Sequence, residues 1–130
     1  MIFVDASALI AIIAGEVDAD RLADILEDEP DRLCSAVSVW ETIAGLCRSH
    51  GLTIDRARDH VRRFLDEGRF IHVALGEETA EIALEAYARF GKGRHPAALN
   101  MGDCFAYAAA KENGARLLYK GGDFALTDLA

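Results

Sequence analysis

The sequence predicts an α/β domain built on a mainly parallel sheet, and three observations lead there. Short apolar runs that read as strands alternate with longer segments whose apolar residues recur every three or four positions. Parallel neighbours need a crossover, which a helix supplies, so this alternation is the signature of a parallel sheet. The chain has 130 residues, 52% of them hydrophobic and 28% charged, which is enough for a sizeable core in one compact domain.

Taken in order, "MIFV" is a short buried strand and "SALIAIIAG" a helix, with Ser7 near its start and Gly15 ending it. "EVDADRLADILEDE" sets Val17, Leu22, Ile25 and Leu26 on one helical face. "RLCSAVS" reads as a second strand that turns into the helix "AVSVWETIAGLCRSH". There Val37, Trp40, Ile43, Ala44 and Cys47 form an apolar stripe and Glu41 lies just off it. "TIDRARDHVRRFLDEG" repeats the pattern through Ile54, Ala57, Val61, Phe64 and Leu65, with a basic opposite face. "FIHVAL" is the third strand, and "EETAEIALEAYARFG" the helix after it. The glycine-rich, basic "GKGRHPAALNMG" reads as an exposed loop. The helix "DCFAYAAAKENG" then opens on Asp103, "RLLYK" is the fourth strand, and "GGDFALTD" is a turn and a short helix.

Composition excludes several classes. No run approaches the ~18 apolar residues of a membrane span, and the first residues lack the basic flank and cleavage site of a signal peptide. A cytoplasmic protein is therefore expected. Cys34, Cys47 and Cys104 are odd in number, widely spaced and set among apolar neighbours, so they read as small buried hydrophobes rather than a disulfide or zinc framework. His50, His60, His72 and His95 show no i, i+4 pairing and read as surface or core residues, with His95 the exception to watch beside Arg94. A net charge of −8 is the wrong sign for gripping nucleic acid by phosphate neutralisation alone; such a role requires metal ions or a local basic patch.

The acids are placed more tellingly. Asp5 ends the first strand and Asp123 follows the fourth, behind Gly121 and Gly122. Asp103 opens the alanine-rich helix, and Glu41 lies a few residues beyond the second strand. Each has an ordinary reading alone: a helix cap for Asp103, a turn for Asp123, a solvated face for Glu41. Asp5 is hardest to explain that way, because it interrupts apolar residues. All four fall at the carboxyl edge of the predicted sheet, where such folds bind ligands. Carboxylates that close repel one another unless a cation sits among them, and a hard divalent ion such as Mg²⁺ or Mn²⁺ suits oxygen donors.

These residues also carry a resemblance. "MIFVDASALI", "SAVSVWET" and above all "LNMGDCFAYAAAKENGARLLYKGGDFALTD" resemble PIN-domain ribonucleases, and among them the VapC-type toxins of bacterial toxin–antitoxin pairs. The likeness covers essentially the whole chain. It implies one PIN domain over residues 1–130, a three-layer α/β/α arrangement with a sheet of about four to five strands. It implies a Mg²⁺- or Mn²⁺-dependent endoribonuclease with Asp5, Glu41, Asp103 and Asp123 as its acidic set. Asp5 and Asp103 would hold metal, with Glu41 and Asp123 doing so directly or through water, and Ser7 in support. The family often has Asn before the last acid, where this chain has Gly122. The resemblance further implies a cognate VapB-type antitoxin whose C-terminal segment covers the acidic cleft and offers it an Arg. It also implies a homodimer, to which Trp40 and the 53–67 helix face would contribute.

Hydrolysis of a phosphodiester by a carboxylate-held ion needs no histidine or serine nucleophile. RNA phosphates would meet the locally dense basic residues: Lys92 and Arg94 in the loop, and Lys120 beside the last turn. Arg56, Arg58, Arg62 and Arg63 add a second dense basic set on one helix, of which Arg62 and Arg63 read as a solvated face. The competing readings are a non-catalytic domain that binds RNA or a partner, and a nuclease of the same fold outside any toxin pair. A haloacid-dehalogenase-like phosphatase would need a second acid two residues after Asp5, where Ser7 stands.

Overall fold

The computed structural model describes residues 1–130. Four strands, β1 (Ile2–Val4), β2 (Arg32–Cys34), β3 (Ile71–His72) and β4 (Arg116–Leu118), form one sheet in the order β3-β2-β1-β4. Every pairing is parallel, with Ile2 opposite Arg32 on one side and Arg116 on the other. The helices are α1 (Ala6–Ala14), α2 (Ala19–Glu27), α3 (Ala36–His50), α4 (Ile54–Glu67), α5 (Glu77–Phe90) and α6 (Met101–Glu112), followed by a short 3₁₀ turn, Phe124–Leu126.

Alternation along the strands divides the interior into two cores, because successive side chains of a strand point to opposite faces. Phe3, Leu33 and Leu117 face α5 and α6, packing with Ala83, Ala86, Phe90, Leu99 and Tyr107. Ile2, Val4, Cys34 and Leu118 face the other way, onto Leu9, Leu22, Leu46, Val61 and Leu65 of α1 to α4. The result is three layers with the sheet in the middle, as expected. Cys34 and Cys104 are buried and all three cysteines are free.

Local signals set the ends of the elements. Asp5, rather than Ser7, caps α1, and Gly15 and Gly51 close α1 and α3 in the left-handed region at φ 69° and 68°. Ser35 and Ser38 cap α3 reciprocally, each side-chain oxygen accepting from the other's backbone N–H at 3.2 and 2.8 Å. Helix α6 starts two residues earlier than the sequence suggests, because Asn100 takes the cap position: its Oδ1 accepts from the Asp103 N–H at 2.9 Å. Strand β3 is only two residues long and exposed, as befits an edge.

Three apolar residues placed on helical faces by periodicity lie outside the core. Val17 precedes α2 in a turn and is 99% exposed, Trp40 is 70% exposed, and Ile54 opens α4 at 65%. The buried line of α3 runs instead through Ser38, Thr42, Gly45 and Leu46, one step round the helix. No helix is long and apolar enough to cross a membrane.

The connections from β1 through β3 step outward on one side of β1, and the chain then returns to place β4 on the other. That reversal lies between β1 and β4, the point of an open parallel sheet where ligand crevices form.

Candidate active site

Helices that connect parallel strands run back against them, so each starts at the carboxyl edge of the sheet. Asp5 therefore sits between the end of β1 and the first turn of α1, Glu41 in the second turn of α3, and Asp103 in the first turn of α6. Asp123 follows β4 and leads into the 3₁₀ turn.

Asp5 is only 4% exposed. Its backbone N–H continues the ladder to the Leu118 carbonyl at 2.9 Å. Its Oδ2 accepts two hydrogen bonds from Ser7, from the hydroxyl at 2.6 Å and from the backbone N–H at 3.0 Å. Ser7 Oγ in turn accepts the backbone N–H of Lys120 at 3.0 Å, so the residue expected to support the cleft ties the end of β4 to the acid after β1.

The acids feel one another. Burial raises the pKa of Asp5 despite the Ser7 hydrogen bonds, and the Asp123 charge adds to the rise. Burial, with the charges of Asp5 and Asp103, pushes Glu41 up to about 7. Burial pushes Asp103 up to about 6 against its hydrogen bond from Asn100, helped by Asp5 and Asp123. Asp103 Oδ2 also accepts the Asn100 N–H at 3.0 Å, so Asp103 is a cap residue and a member of the cluster at once. The structure brings all four predicted acids into one electrostatic group.

Asp123 is anchored on both sides of its two glycines. Before them, Lys120 Nζ lies 2.5 Å from Glu16 Oε1, and the other oxygen of Glu16 meets His50 Nε2 at 2.8 Å. After them, Phe124 is buried against Tyr119, and Tyr107 donates its hydroxyl to Asp128 Oδ1 at 2.7 Å while Lys111 pairs with the second oxygen at 2.6 Å. Glu16 and His50 carried no signal in the sequence; their part depends on a residue more than a hundred positions away from Glu16.

Lys92 and Arg94 stand exposed on the loop between α5 and α6, with the Arg94 guanidinium 5.1 Å from the Tyr87 ring centroid. The loop is held from beneath by Ala97 and Leu99, both buried, and by His95. The His95 Nδ1 accepts the Ala97 N–H at 3.0 Å, and its ring stands edge-on to Phe90. His95 is thus a structural brace of the basic loop.

The donor set is hard carboxylate oxygen, the kind that divalent cations such as Mg²⁺ take. No three Asp, Glu, His or Cys side chains stand at ion-enclosing spacing in this conformation. The acids are nevertheless hard oxygen donors, held together against their own repulsion, which a cation among them relieves. Room is also kept for the Glu41 carboxylate: a Cβ on Gly102 would lie within 2.5 Å of its Cδ and both oxygens.

Comparisons with known proteins agree with this fold. Residues 2–129 match the PIN domain family. A VapC ribonuclease of Rhizobium meliloti is 42% identical over 141 residues, covering 99% of each chain. A ribonuclease VapC of Mycolicibacterium smegmatis is 42% identical over 127 residues, covering 98% of this chain and 96% of its own. Among solved structures, Mycobacterium tuberculosis VapC20, a toxin that cleaves the sarcin-ricin loop, superposes with a TM-score of 0.76 at 22% identity over 96% of this chain and 93% of its own. A toxin–antitoxin complex from Klebsiella pneumoniae gives 0.73 at 18% identity, over 99% and 94%.

Proposed function

The chain belongs to the PIN-domain family, and from that premise we propose that it is a Mg²⁺- or Mn²⁺-dependent endoribonuclease, the toxin of a toxin–antitoxin pair acting in the cytoplasm as a single PIN domain. The observation that carries the reading is the convergence at the carboxyl edge of buried Asp5 with half-buried Glu41 and Asp103, whose charges oppose one another, and with Asp123 beside them.

Asp5 and Asp103 are the proposed metal ligands, and Glu41 and Asp123 act directly or through water. Mg²⁺ or Mn²⁺ bound there would lower the pKa of a water and polarise the scissile phosphoryl group. Ser7 holds the Asp5 carboxylate in one orientation with its two hydrogen bonds. Lys92 and Arg94 meet RNA phosphates from the exposed loop, positioning the strand without reading its bases.

A VapB-type antitoxin is the proposed partner. Acids whose repulsion favours a cation also favour a guanidinium, so a partner segment that brings an Arg into the cleft would occupy the same place. The toxin is proposed to form a homodimer in which the exposed Trp40 and the α4 face take part.

The decisive experiment is cleavage of RNA by the purified protein with Mg²⁺ or Mn²⁺, with and without EDTA. Cleavage that stops with EDTA and returns with added Mn²⁺ is the expected result. Cleavage indifferent to EDTA, or none with either metal, would overturn the proposal.

A further inference from the structure

Helix α6 opens with an unfavourable residue. Gly102 is its second position, in the first turn behind the Asn100 cap, with no positive φ to explain it. Glycine in a helix costs backbone entropy that alanine does not, and alanine is the best helix former. Gly102 is also buried, so solvent exposure offers no reason for it.

The reason lies across the helix pair. A Cβ at this position would meet Cδ and both carboxylate oxygens of Glu41, all within 2.5 Å, and its three nearest neighbours are those same atoms. The Glu41 carboxylate rests on the bare backbone of the first turn of α6, one residue before Asp103. There the peptide dipoles of the helix N-terminus favour negative charge.

We propose that Gly102 is a positioning residue, whose missing side chain sets the Glu41 carboxylate against the start of α6 beside Asp103 and Asp5. The atoms a Cβ would displace are the far end of a flexible side chain, not backbone or core. An alanine here would therefore be accommodated by swinging Glu41 away, sparing the fold and sacrificing the arrangement of acids. This deepens the metal-nuclease reading and rests on it for its functional consequence, though not for the placement of Glu41.

The test compares wild type, Gly102→Ala, Glu41→Ala and the double variant, by thermal melting and by Mn²⁺ titration followed through the electron paramagnetic resonance of free Mn²⁺. Gly102→Ala is expected to melt at the same temperature as wild type or higher. Its Mn²⁺ affinity is expected to fall about as far as that of Glu41→Ala, on the order of tenfold by the scale of lost supporting contacts in metal sites. The double variant should bind Mn²⁺ no more weakly than Glu41→Ala, because both changes remove one interaction. Wild-type affinity in Gly102→Ala, additive losses in the double variant, or a lowered melting temperature would each overturn the proposal. Absence of Mn²⁺ binding in wild type would refute the metal reading instead. The placement of Glu41 is then decided by crystal structures of wild type and Gly102→Ala: a displaced carboxylate upholds the proposal, and an unmoved one overturns it.

Discussion

Lys120 is turned onto Glu16, Nζ to Oε1 2.5 Å, while its own backbone N–H is held by Ser7 Oγ at 3.0 Å. Hydrogen bonds from Lys120 and then His50 hold Glu16 below the usual carboxylate range, and Glu16 in turn raises Lys120. The lysine expected to touch RNA therefore stands at the hinge of the loop that carries Asp123. If it orients that loop, Lys120→Ala and Glu16→Gln should lower kcat alike, by up to about a hundredfold, the scale of an ångström's misplacement at a reacting centre, with RNA affinity unchanged. Weaker RNA binding in Lys120→Ala, together with tighter binding in Glu16→Gln, would assign the ammonium to the phosphate backbone instead.

Asp5 caps α1 and also belongs to the acidic group, and two substitutions separate these parts. Asn keeps an oxygen for the Ser7 N–H, whereas Ala removes it. Asp5→Ala should be less stable than Asp5→Asn by about 1 kcal/mol, the usual worth of a cap. Both should lose RNA cleavage. Chemical denaturation of the two variants measures the difference, and equal stabilities would remove the capping role.

The raised acids give stability a definite dependence on pH. Glu41 moves from 4.5 to about 7 and Asp103 from 3.8 to about 6, so the folded chain holds protons that the unfolded chain releases. Stability from such groups is fully present below the unfolded pKa and is lost as pH rises through the folded one. Between pH 4.5 and 7 the metal-free melting temperature of wild type should therefore fall relative to that of Glu41→Gln. Saturating Mg²⁺ should flatten the difference, since an ion among the carboxylates compensates their charge. A wild-type curve that climbs relative to Glu41→Gln across this window would contradict the assignment.

Lys92 and Arg94 make a separable claim about RNA. If each neutralises one phosphate, Lys92→Ala and Arg94→Ala should each lower the slope of log K against log salt by about 0.7, the value for single strands. The weakening should be similar for unrelated RNA sequences. Binding isotherms at several salt concentrations decide this, and an unchanged slope would remove the residue from the interface.

Trp40 touches little of its own chain, so Trp40→Ala should leave the melting temperature unaltered. Sedimentation equilibrium should shift toward monomer if this face joins two copies. Unchanged association would place the dimer contact elsewhere.

Much of this site was readable because its signals are local. Asp5 breaks an apolar strand, and Asp103 and Asp123 stand at ends of elements, all visible within a few residues. Glu41 by itself read as a solvated face residue and gained weight only from its company with the other acids at the sheet edge; of the apolar stripe beside it, Ile43 and Cys47 pack against the core while Trp40 is exposed. Periodicity measures which residues share a face, and cannot say which face finds a partner. The start of α6 was set two residues late because Asn100 competes with Asp103 for the cap position, and both are good cap formers. Glu16, His50 and Gly102 were illegible for a different reason. Each acts through a residue distant in the chain, and only the packed sheet brings the two together.

The pairing of β1 with β4 brings residue 2 against residue 116, nearly the longest closure the chain can make. Contacts of such separation carry a closure entropy that local contacts do not, which is one reason parallel sheets fold slowly. Asp5 and Asp123 come together only through that pairing. Without it the two acids stand 118 positions apart in the chain, and the proposed site lacks one of its four carboxylates. The proposed chemistry therefore requires the closed sheet, and not only the finished helices.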